Sequence, residues 1–171
     1  MPWSNRAKMT DQWPSNLDGQ YDAGLGFVFP WLNTSSHSVV LDVWAFVALN
    51  GVCSIGADSS FWGGNHIYMR VITFLQASLI PSPVYAGAAA DVAELSADDG
   101  GFLGLGEVVT DNVSGSPIMN VPNFIVPAGK TAAFQAGLHV TAVADGDCFG
   151  NVDFVSGDFQ VLCPYVQLVF V

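Results

Sequence analysis

The sequence predicts an all-β fold: a single antiparallel β-sandwich, jelly-roll-like, with an extended N-terminal arm. Three observations predict it. Runs rich in Val, Ile, Phe and Thr recur from residue 26 to the C-terminus, each bounded by Gly, Pro, Asn or Asp. About nine such runs can be counted, and a sandwich or barrel is the usual way to pack that many short strands. Only residues 84–97 invite a helical reading, and no repeat of fixed period is visible.

Residues 1–25 read as the arm. Trp3, Trp13 and Tyr21 sit among Asn, Asp, Gly and Pro with no sustained helical or strand period. Disordered segments are poor in aromatics, and tryptophan is costly to leave in water. The arm is therefore expected to be extended, its tryptophans inserted into the domain or a neighbouring subunit. The sandwich domain then covers residues 26–171.

Within it, residues 26–32 are a short hydrophobic strand. Residues 37–49 are a longer one, with Val39, Leu41, Val43, Ala45, Val47 and Leu49 on one face and Val40, Asp42, Trp44, Phe46 and Ala48 on the other. Asn50-Gly51 reads as a tight hairpin turn. Residues 57–65 form a loop holding Phe61 and Trp62, and residues 66–77 a strand stopped by Pro81 and Pro83. Residues 84–97 are either a helix capped by Ser82 with Pro83 in its first turn, or a loop and short strand. Strands follow over 102–110 and 121–126, then a turn at 127–130 and a strand over 131–144. Asp145-Gly146-Asp147 reads as a turn, Ser156-Gly157 as a two-residue hairpin, and residues 165–171 as a closing hydrophobic strand.

At 171 residues the chain fits one domain with a sizeable core. Apolar residues make up 51% and charged residues only 11%, where ordinary soluble domains carry about 25% charged. A membrane or a large protein interface explains such a deficit. No apolar run reaches the roughly 20 residues of a spanning helix. Residues 1–19 are polar and broken by prolines, unlike a secretory signal. A soluble protein, made inside a cell and stabilised by neighbours, is expected. Net charge is −11 and the only Lys and Arg residues are Arg6, Lys8, Arg70 and Lys130. These are too few and too scattered to grip a phosphate backbone, so nucleic acid is not an expected partner.

The chemistry-bearing residues form no catalytic pattern. His37, His66 and His139 lie in no zinc-protease motif and beside no nucleophile elbow. The glycines at 24–26 and 101–106 lack the Lys-Ser/Thr of a phosphate loop and read as turns or bulges. Cys53, Cys148 and Cys163 show no zinc spacing and read as buried, reduced thiols. Carboxylates at 98–99, 145–147, 153 and 158 could meet calcium, but Asp-Gly is first a turn dipeptide. Neither an enzyme nor a bound metal or cofactor is expected. Trp31, Trp44, Phe61, Trp62 and Tyr68 could form a sugar-stacking platform. Core or interface packing is the stronger reading for Trp44, whereas Phe61 and Trp62 in their Gly/Ser loop are the better contact residues.

Residues 121–143 (VPNFIVPAGKTAAFQAGLHVTAV) and the hydrophobic C-terminal run that follows resemble the β-sandwich proteins of virus and bacteriophage particles: capsid jelly rolls, decoration or cement proteins, and fibre or spike heads. The resemblance covers roughly the last 50 residues. It implies a structural role in a virion, assembled in the host cytoplasm. The expected partners are further copies of the chain, a trimer above all, and other virion proteins, reached through Trp3, Trp13 and Tyr21. The alternative is a carbohydrate- or receptor-binding module using Phe61 and Trp62.

Overall fold

A computed structural model describes residues 5–59, 64–81, 85–100 and 105–171, with the backbone alone over residues 14–17. Trp3, Phe61, Trp62, Ser82 and Pro83 lie outside the described residues. Among the described residues, eleven strands form two antiparallel sheets packed face to face, so the β-sandwich expected from the sequence is the fold. In chain order the strands are β1 (Arg6–Ala7), β2 (Thr10–Leu32), β3 (Val39–Phe46), β4 (Ala48–Ala57), β5 (His66–Ile80), β6 (Tyr85–Asp98), β7 (Glu107–Gly115), β8 (Ile118–Val126), β9 (Thr131–Asp153), β10 (Gln160–Leu162) and β11 (Val166–Phe170).

The large sheet is built around β9. Its period-two pattern sends Ala132, Phe134, Ala136, Leu138, Val140, Ala142 and Ala144 into the core. One edge of β9 pairs with β2 along almost its whole length. The other edge pairs first with β5 and then with β4, beyond which lie β6 and β7. The small sheet, ordered β11-β3-β8, covers part of this layer. Leu41, Val43, Phe124 and Val126 of the small sheet are buried in one core with Leu75 and Phe134, and the Phe124 and Phe134 rings meet edge-on at 6.2 Å. Removal of that much apolar surface from water drives the packing, at roughly 25 cal/mol per Å².

Three sequence expectations are corrected, and one left open is resolved. The boundary at residue 25 falls inside β2, which runs unbroken in the ladder from Gly19 to Leu32; the extended segment is a sheet strand, because β9 offers it an equally long edge. Of the two readings for residues 84–97 the strand holds, and it is longer than read, Tyr85–Asp98: pairing with β5 places Ala86, Ala88, Ala90 and Val92 against the core and outweighs the helical preference of alanine. Asn50-Gly51 does not turn but lies within β4, opposite Ser114 and Val113. Asp145-Gly146-Asp147 does not end a strand either. Gly146, at φ +87°, marks the point where β9 passes from β5 to β4, and the Asn65 side chain braces it, accepting from Asp147 N at 3.1 Å and donating to Asp58 O at 2.8 Å.

The Ser156-Gly157 turn forms, closed by Phe159 N donating to Ser156 O at 2.9 Å, but it is no β9–β10 hairpin. Residues 154–159 loop out, and β10 resumes the line of β9 along β4. The turn expected at 127–130 forms as read, with Lys130 N donating to Pro127 O at 3.1 Å.

Candidate assembly surface

The two outer faces of the sandwich differ in chemistry. On the large sheet, charged and hydrogen-bonded outward residues stand beside exposed Val28, Leu32 and Val143. Arg70 Nε lies 2.6 Å from Asp91 Oδ1, His139 Nε2 lies 3.2 Å from Asp22 Oδ1, and Thr141 donates to the same Asp22 oxygen at 2.9 Å. The Arg70 hydrogen bond holds the Asp91 carboxyl below its usual range, and the bond to Glu94 raises the Tyr68 phenol.

The small sheet is different. Leu41, Val43 and Ala45 point inward, so Val40, Asp42, Trp44 and Phe46 point out. Register sets Trp44 between Asn120 and Gln167, Val40 beside Ile125, and Asp42 beside Val169. Large side chains stand in solvent here: Ile118 is 66% exposed, Ile125 56% and Trp44 39%. The single carboxylate of the face, Asp42, is occupied, accepting from Asn123 N at 2.9 Å. No Lys or Arg lies on β3, β8 or β11. On this face apolar side chains alternate with Asn120, Gln167 and Asp42, and no cation stands among them.

The sequence-singled residues are scattered by the fold. Trp13 is buried in its own domain, its ring tilted 6.0 Å from that of Tyr21 and its Nε1 donating to Asp11 Oδ2 at 3.0 Å. It takes the intramolecular alternative, and Gly150 is the space it fills: a Cβ there would run into the indole. Tyr21 is half-buried beside it. Trp31 faces the core and meets Phe170 edge-on at 6.1 Å, Trp44 faces out of the small sheet, and Tyr68 faces out of the large one. These three share no platform. Ile118 and Ile125 were not singled out from the sequence, although the alternation in residues 118–126 is their signal.

The outer face of the large sheet also holds a groove of about 580 Å³ where small residues lie side by side. Gly26, Gly137, Phe74 and Ala89 form one row across four strands, and Gln76, Gln135 and His139 flank it. All three cysteines are free and buried. Burial pushes the Cys53 thiol up to about 12, aided by Asp111, and Cys163 up to about 11. Among the described residues, no group of three or more His, Cys, Asp or Glu is gathered to hold a metal, and no helix is long and apolar enough to cross a membrane.

No protein-family model matches the chain, and no curated protein matches its sequence. Among solved structures, it is similar to that of infectious bursal disease virus, Gx strain, at 10% identity and a TM-score of 0.19, over 97% of this chain and 40% of the other. It is likewise similar to a mutant VP2 protein of the same virus in derived T=1 particles, at 12% identity and a TM-score of 0.17, over 96% of this chain and 41% of the other. The chain spans about two fifths of the length of these structures. Similarity at this level carries no assignment.

Proposed function

We propose that this chain is a structural subunit of a virus or bacteriophage particle, a capsid, decoration or spike component, which works by assembling with copies of itself and not by catalysis. The observation that carries the assembly reading is the small sheet's outer face: Trp44, Ile118, Ile125 and Val169 stand exposed on it, and no cation lies on its three strands. A protein with only 11% charged residues covers such a face with protein. The resemblance of residues 121–171 to virion sandwiches supplies the setting.

Light scattering of the purified protein tests this. A mass of several times 18.1 kDa, reduced by Trp44→Lys or Ile125→Lys while the fold is retained, supports it. A wild-type protein that stays at 18.1 kDa at high concentration refutes it.

A second reading is favoured by the groove on the large sheet. Phe74 offers an apolar surface, and Gln76, Gln135 and His139 offer neutral donors and acceptors, a combination suited to an uncharged saccharide. Glycan-array binding that is lost in Phe74→Ala and Gln135→Ala supports it, and an array without signal refutes it.

A further inference from the structure

We propose that the free edge of β2 is where a second copy of this chain adds, strand to strand and antiparallel, about a two-fold axis at Leu25. The proposal rests on the assembly reading above and names one contact within it. Asn33 N donates to Lys130 O at 3.0 Å, which fixes the phase of the β2–β9 ladder. Antiparallel alternation then turns the odd-numbered residues of 19–31 toward β9. The N–H and C=O groups of Gln20, Asp22, Gly24, Gly26 and Val28 point the other way. Among the described residues, no strand pairs with that edge.

An edge this long is normally blunted by lysines, prolines or bulges. β2 has these only near its ends. Pro14 and the register shifts between Trp13 and Gly19 close one side, and Pro30 closes the other, with its missing N–H on the open edge. Between them, residues 20–29 carry no lysine, proline or bulge. The core-side residues Tyr21, Leu25, Phe27, Phe29 and Trp31 are all only half-buried, as expected where the sandwich stops short of its own aromatics.

The occupant is a second copy because the segment is complementary to itself. Centred on Leu25, Gly24 of one copy faces Gly26 of the other, and Asp22 faces Val28. On the core side, Ala23 faces Phe27 and Tyr21 faces Phe29. No carboxylate meets a carboxylate, backbones approach closely where there is no side chain, and the orphan groups from Asp22 to Val28 are satisfied in both chains at once. A two-fold contact of this kind is closed and leaves neither edge open.

The test uses the full chain. Gly24→Pro removes an outward N–H without touching the β9 ladder, and a Cβ at Gly24 meets neighbours no nearer than 3.4 Å. Its mass by sedimentation is expected to fall by half or more with circular dichroism unchanged. Independently, Leu25→Cys is expected to give a disulfide-linked dimer on a non-reducing gel. The Cα atoms of a non-hydrogen-bonded pair lie roughly 4.5 Å apart, within disulfide reach. Asp18→Cys, opposite Leu32, is expected to give none. If wild type assembles, Gly24→Pro keeps its mass and Leu25→Cys does not crosslink, the edge contact is wrong and the assembly reading stands. If wild type itself is an 18.1 kDa monomer, both fail.

Discussion

Single side chains decide two features of this sandwich. Asn33, buried in the β2–β3 connection, donates to His37 O and Val126 O, both at 3.0 Å, and accepts from Ser35 N and Oγ. It ties the end of the large sheet to β8 of the small one. Replacement by alanine leaves buried carbonyls without donors, and the expected loss is about 1–3 kcal/mol in urea denaturation. Asn33→Asp is expected to lose at least as much, because a carboxylate would face two carbonyl oxygens. The buried cysteines weaken the fold at alkaline pH. Cys53 and Cys163 stay protonated in the fold to about 12 and about 11, whereas an unfolded thiol ionises near 9. As pH rises from about 9 toward 11, the unfolded chain sheds protons that the fold retains, so stability falls over that window. Melting temperature measured from pH 8 to 11 checks this, with Cys53→Ala showing a smaller slope. Native protein at pH 8 is expected to resist thiol reagents until denatured.

At the scale of elements, the β2–β9 ribbon is the feature most sensitive to substitution. Gly137 pairs with Gly26, and a Cβ on Gly137 would collide with the Leu25 carbonyl oxygen. Gly137→Ala is therefore expected to push β2 off β9 and cost about 1–3 kcal/mol, read as a lowered urea midpoint. Gly24→Ala, two rows of the ladder away and with room for a methyl, is the matched control. The ribbon also shows what the sequence could and could not convey. Alternation in residues 131–144 and 66–77 is a local signal, and β9 and β5 were legible from it. Asn50-Gly51 and Asp145-Gly146-Asp147 are turn sequences by local chemistry, yet strands run through both: β7 pairs with Asn50-Gly51, and the distant Asn65 side chain braces Gly146-Asp147 between the β5 and β4 ladders. The same long-range pairing makes a strand of alanine-rich β6 and draws residues 10–25 into the sheet. Strands over residues 37–49 and 121–126 were readable, but which face was left uncovered depends on where the small sheet ends. That is why Trp44 was singled out without Ile118 and Ile125 of the same face.

For the molecule as a whole, charge and apolar surface oppose each other. Each chain carries a net charge of −11 with only 4 cations, so copies repel at neutral pH. The small sheet's outer face holds one carboxylate, already hydrogen-bonded, so contact there gains apolar burial and forms few ion pairs. The two terms respond oppositely to salt. Raising ionic strength from 10 mM to 1 M shortens the screening length from roughly 30 Å to roughly 3 Å and removes most of the repulsion. Apolar burial is not weakened by it. The assembled fraction in sedimentation velocity is therefore expected to rise with sodium chloride. Lowering pH toward the sequence pI of about 4.1 acts in the same direction, because the carboxylates lose the charge that keeps copies apart. Trp44→Lys separates the terms: it lowers the net negative charge, which alone would favour association, yet buries an ammonium in the contact. If burial dominates, the variant assembles less than wild type at every salt concentration. Assembly that weakens as salt rises would mean that ion pairs hold the copies together, and the apolar face would then not be the contact.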